Sequence, residues 1–177
     1  HSLKYTVIVY LSFFILKCEV FAQDTSLVDV KRTYYPNGMV KTQGEYWQGQ
    51  LHGDYLEFYP NGKLWKKWRF FRGKEDGIST WYFPDGIVSI EWNYQNGIKE
   101  GISRWYYETG ELWAEQQYVN GKLDGITKTY YKSGELQGEW LYINGLLQGR
   151  SVTYYKSGKP EVSRYFVDGV LSGKTFV

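Results

Sequence analysis

The stretch YYPNGMVKTQGEYWQGQLHGDYLEFYPNG, residues 34–62, begins and ends on Tyr-Pro-Asn-Gly. The phrase returns as Phe83-Pro84-Asp85-Gly86, then with altered middles at Tyr107-Glu108-Thr109-Gly110, Tyr131-Lys132-Ser133-Gly134 and Tyr155-Lys156-Ser157-Gly158. Glycines give the period. Gly38, Gly62, Gly86, Gly110, Gly134 and Gly158 step by 24 residues, and so do the sets that start at Gly49 and Gly53. Three sets of six take 18 of the 20 glycines. A fixed period in this range marks a repeat architecture. The chain therefore reads as six tandem units without insertion or deletion, from residue 34 to residue 177.

Composition agrees. Aromatic residues make up 20% of the 177-residue chain, with 18 Tyr and 8 Trp, while Pro, Cys and Met are scarce. Tyr and Trp suit strands, and Gly suits turns. No apolar pattern of helical period follows residue 30. A net charge of +2 gives no electrostatic pull toward nucleic acid or an anionic membrane.

Each unit reads as two antiparallel strands. In ISTWYFPDGIVSIEWNYQ, residues 78–95, Pro84 and Asp85 suit a type I turn and Gly86 the left-handed residue after it. That geometry sets Phe83 opposite Ile87, Tyr82 opposite Val88 and Trp81 opposite Ser89. It also sets Trp105 opposite Trp113. The second turn, Asn96 to Gly101, reads as a longer loop with a glycine near each end. Six units then give about twelve strands in one continuous meander, and at ~4.8 Å per strand a length of roughly 55–60 Å. The fold expected is all-β: a single-layer, elongated, twisted antiparallel meander, solenoid-like in its repetition.

Alternation assigns faces. Even positions carry Val40, Leu64, Val88, Leu112 and Leu136, with ladders from Tyr34 to Tyr154 and from Tyr46 to Phe166. These form the expected core face. Odd positions carry Glu91, Glu115, Glu139, Lys67 and serines, and are expected to face water.

The first 22 residues differ. Residues 5–16, YTVIVYLSFFIL, form an apolar run after Lys4, and Val20-Phe21-Ala22 closes it. This is the pattern of a secretory signal peptide cleaved after Ala22. A membrane anchor competes, but the run is short for a span and Lys17 and Glu19 interrupt its end. Cys18 suits a lipoprotein poorly, because Lys17 precedes it. The expected domains are signal peptide 1–22, polar lead-in 23–33 and repeat domain 34–177. The expected location is outside the cytoplasm: periplasm, outer envelope or secreted. Membrane contact is expected only through the signal or weakly at the surface.

Units of this length with Tyr59-Pro60-Asn61-Gly62-Lys63-Leu64 and Val119-Asn120-Gly121-Lys122-Leu123-Asp124-Gly125 resemble MORN repeats, and more narrowly the bacterial MORN-variant repeats. Chains built wholly from the variant are often named YwqK-family antitoxins. The resemblance covers residues 34–177 and implies a β-repeat fold and, by association, a toxin as partner.

Catalysis finds little support. The only histidines are His1 and His52, and His52 fills a turn slot held elsewhere by Asp76, Glu100, Asp124, Gln148 and Ser172. No Cys/His set has metal-ligand spacing, and no nucleophile elbow or phosphate loop occurs. No enzyme activity, metal or cofactor is expected. The sharper signal is aromatic: Trp65, Trp81, Phe83, Trp105, Tyr107 and Trp113 share the odd face of the middle units. Cross-strand aromatics can be structural, but Trp and Tyr also dominate binding hot spots. The expectation is a monomeric, non-enzymatic scaffold that binds a protein there. The alternatives are an antitoxin or immunity protein, and a carbohydrate or cell-wall binding module. No nucleic-acid partner is expected.

Overall fold

The computed structural model describes residues 28–173 and 175–177. The signal segment 1–22 and the first part of the lead-in lie outside the described residues. The rest is one antiparallel sheet: β1 (Val28–Tyr34), β2 (Val40–Trp47), β3 (Gln50–Phe58), β4 (Leu64–Phe71), β5 (Lys74–Glu75), β6 (Gly77–Tyr82), β7 (Val88–Gln95), β8 (Ile98–Lys99), β9 (Gly101–Tyr106), β10 (Leu112–Val119), β11 (Lys122–Leu123), β12 (Gly125–Tyr130), β13 (Leu136–Ile143), β14 (Leu146–Tyr154), β15 (Pro160–Val167) and β16 (Val170–Leu171). Neighbours in sequence are neighbours in the sheet, as a meander requires.

The sheet holds 16 strands rather than about twelve. Part of the excess comes from kinks after Glu75, Lys99 and Leu123, which split the strands that β3 and β14 carry unbroken. The remaining one is β1, which precedes the first hairpin of the six units. β1 takes in the end of the lead-in, where Val28–Thr33 pair in register with Thr42–Trp47.

The first turn is as read. Phe83 N–H donates to the Ile87 carbonyl at 2.8 Å, Gly86 N–H donates to the Phe83 carbonyl at 2.9 Å, and Gly86 has a φ of +99°. The second turn is not a six-residue loop. Asn96 and Gly97 have φ of +52° and +83° and close the pair Gln95↔Ile98. That is the two-residue hairpin whose twist matches the strands it joins.

Register brings the main correction. Tyr82 pairs with Val88 as expected, but Trp81 then pairs with Ile90 rather than Ser89. Likewise Trp105 pairs with Ala114, not Trp113. Ser89 and Trp113 are the extra residues of bulges, and one extra residue exchanges the faces beyond it. The expected even core face therefore divides. The ladder Tyr34–Tyr154 shares a face with Glu91 and Glu139: Tyr106 Oη donates to Glu91 Oε2 at 2.7 Å, and Tyr154 Oη donates to Glu139 Oε1 at 2.7 Å. The ladder Tyr46–Phe166 lies on the other face with Trp81, Ile90, Trp92 and Trp105, where Trp92 and Trp105 meet edge-to-face at 4.8 Å. We call these the charged face and the aromatic face.

Among the described residues, Ala114 and Val152 are the only buried apolar side chains. A single layer of sheet has no interior. Its units are held instead by stitches between hairpins. Tyr35, Tyr59, Tyr107 and Tyr131 each donate a hydroxyl hydrogen bond of 2.7–2.8 Å to the carbonyls of Phe58, Tyr82, Tyr130 and Tyr154. The turn slot of His52 gives a second stitch. Asp76, Glu100 and Asp124 accept from the N–H of Asn96, Asn120 and Asn144 at 2.8–3.1 Å, and His52 Nδ1 accepts from Arg72 N–H at 3.5 Å.

Candidate binding surface

The charged face is a lattice of matched pairs. Glu91, Arg104, Glu115, Lys128 and Glu139 are successive register partners across five strands, so charge alternates along the row. Arg104 Nε donates to Glu115 Oε2 at 3.0 Å. Burial pushes the Tyr106 phenol up to about 12, helped by its hydrogen bond to Glu91. Opposite charges placed directly across strands stabilise a sheet. Each member of the row faces an opposite charge in register, and Arg104–Glu115 is the pair of the row in direct contact.

The aromatic face is different in the middle units. Trp81 and Trp105 are both register partners of Ile90, one on each side. The same slot holds Thr33, Glu57, Thr129 and Thr153 elsewhere. Lys66 lays its ammonium 4.0 Å from the Trp65 ring centre, 4.5 Å from Trp81 and 5.6 Å from Trp68. Lys99 lies 3.2 Å from the centre of Trp92 and 5.3 Å from Tyr118. Ammonium groups over indoles are held electrostatically by the ring. Trp81 Nε1 is buried without a partner.

The residues singled out from the sequence do not all converge. Trp65 and Trp81 meet around Lys66. Trp105 joins Trp92. Trp113 stands apart from Trp105, 44% exposed, with its ring tilted against Tyr107 at 6.5 Å. Tyr107 is a stitching residue through its hydroxyl. Phe83 fills the same slot without a hydroxyl. Trp65 packs at 5.5 Å on Tyr59 and is 37% exposed.

Several important residues were missed. Trp68 and Trp92 occupy even positions, which alternation alone counts as core. Glu75 and Lys99 escaped notice although their slot holds Leu51, Leu123, Leu147 and Leu171 in the other units. Comparing slots, rather than looking for motifs, would have found them. Burial raises the Glu75 carboxyl above its ordinary range, against the opposing pull of Lys99. Burial lowers the Lys99 ammonium, against the opposing pull of Glu75. Tyr94, between them, is raised by burial and by the charge of Glu75.

A model of the MORN repeat variant matches residues 30–48, 51–71, 75–96, 99–120 and 123–144, more than half of the chain. The chain belongs to the MORN repeat variant family. No curated protein matches it. The matched segments of this MORN-variant chain include all of β4, β6, β7, β9 and β10, and β5 and β8 except their first residues, Lys74 and Ile98. The last unit continues the same sheet beyond them. Among the described residues, no three His, Cys, Asp or Glu side chains group closely enough to hold a metal ion.

Proposed function

We propose that this MORN-variant protein is an exported, non-enzymatic scaffold that binds a protein through the aromatic face of its middle units. One observation carries the reading: Trp81 and Trp105 flank Ile90 in a slot that the outer units fill with threonine or glutamate. A purely structural ladder would recur in every unit. Large aromatic side chains gathered at the centre of a surface are what hot spots look like. Export rests on the apolar run at residues 5–16 and the Val20-Phe21-Ala22 that follows it. Protein isolated from the host should begin near Gln23.

The test is comparative capture. Wild-type protein and the Trp81→Ala/Trp105→Ala variant are each immobilised and exposed to host extract. A protein retained by the first and lost by the second supports the reading, and equal retention on both sinks it. The antitoxin role implied by the YwqK resemblance is the narrower form, in which the retained protein is a toxin. A glycan array probed with the same two proteins separates the sugar-binding alternative, for which the exposed rings of Trp65 and Trp113 are the motive.

A further inference from the structure

The repeat supplies its own control. Near the second turn of each unit the aromatic face pairs aromatic with leucine: Tyr46↔Leu51, Tyr118↔Leu123, Tyr142↔Leu147 and Phe166↔Leu171 are register pairs. Two pairs depart from this, Phe70↔Glu75 and Tyr94↔Lys99. Leucine is what the fold accepts there. A half-buried charge costs desolvation that leucine would avoid, and both groups carry that cost in the direction of their titration.

The departures are arranged about β7. Glu75 lies in the hairpin on one side of Tyr94 and Lys99 in the hairpin on the other, at the same height along the strands. Trp81 and Trp105 flank Ile90 in the same way. Consider a two-fold axis along β7, parallel to the strands and just above the aromatic face. It keeps height along the strand and exchanges the two sides. Glu75 of one copy then lies over Lys99 of the other, and Lys99 over Glu75. Trp81 comes over Trp105, and Ile90 and Trp92 lie on the axis. Further out, Lys66 on β4 comes over the small Ala114 on β10, and Glu57 on β3 over Thr129 on β12. No like charges among these are brought together. An isologous interface requires this self-complementarity. A lone sheet layer also lacks the second layer that domains ordinarily use to bury a face.

We infer that the aromatic face is covered by a second copy of this chain, in a face-to-face dimer whose register is set by two reciprocal Glu75–Lys99 pairs. The inference rests on the reading of that face as a protein-binding surface and names its occupant.

Sedimentation of the purified protein tests it. Wild type should be a dimer. Lys99→Glu and Glu75→Lys each place two like-charge pairs in the interface and should be monomers. The Glu75→Lys/Lys99→Glu double variant should be a dimer again. Mixing the two single variants should give a dimer of one copy of each, because all its pairs are opposite; this also shows that both variants are folded. The milder Glu75→Gln should weaken the dimer about tenfold. A wild type that stays monomeric overturns the inference, as does a dimer indifferent to either single swap, or a mixture that stays monomeric. If wild type is monomeric while capture of another protein still depends on Trp81 and Trp105, the inference falls and the binding-surface reading stands. If capture fails too, both fall.

Discussion

The hairpins from β6 to β10 and those from β12 to β15 use one backbone with two different side-chain sets. Both have left-handed glycines at the first turn, Gly86 and Gly134, and Asn-Gly at the second, Asn96-Gly97 and Asn144-Gly145. On the aromatic face the first region carries Trp81, Trp92 and Trp105, and the second Thr129, Trp140 and Thr153. Glu75 and Lys99 in the middle become Leu123 and Leu147 further on. The sheet accepts either set, so neither tryptophan nor charge is needed there to make it. What every unit shares carries the fold, and what the middle adds is available for recognition.

If that division holds, the largest effects should be the same in both regions. Gly110→Val and Gly134→Val should each lose about 1–3 kcal/mol, because a β-branched residue resists the left-handed conformation. At Gly110 the cause is strain rather than space: an added Cβ would lie 3.6 Å from Ile87 and at a φ of +96°. Urea denaturation measures both, and a silent substitution in either region would break the comparison.

The tyrosine stitches come next. Tyr107→Phe and Tyr131→Phe should each cost about 1 kcal/mol in the same assay. Phe83→Tyr should recover a similar amount, because its slot is the one in the first five units that lacks a hydroxyl. A loss on Phe83→Tyr would show that the middle units space their hairpins differently.

The smallest effect concerns pH. The Tyr106 phenol titrates at about 12 in the fold against an ordinary 10. The fold thus favours the neutral phenol. That contribution is fully present below about pH 10 and is lost as pH rises toward 12. Ultraviolet titration should show the latest tyrosinate step vanish in Tyr106→Phe. An unchanged curve would place Tyr106 outside the charged lattice.

Much of the fold could be read from the glycine spacing alone, because a left-handed turn residue leaves few choices of side chain. The faces could not. Alternation predicts them only if no residue is extra, and nothing in Ser89 or Trp113 announces a bulge. Gly44 and Gly138, the two glycines outside the period, were equally silent. They are buried on the aromatic face, where a Cβ would strike Tyr55 and Trp140 respectively. At the site, the tryptophans were visible as residue types but were partnered wrongly. Glu75 and Lys99 were visible only as departures from leucine in a slot whose burial the sequence does not display.

The central claim is tested most directly by giving the middle units the side chains of the outer ones. The variant Glu75→Leu/Trp81→Thr/Lys99→Leu/Trp105→Thr places in the middle what Leu123, Thr129, Leu147 and Thr153 already supply. Urea denaturation and association are measured on the same preparation. The account predicts stability within about 2 kcal/mol of wild type, since large losses need a core cavity, an unpaired buried charge or a broken turn, together with loss of binding to a second copy or to the captured protein. A variant that fails to fold, or one that folds and associates as wild type does, would contradict it.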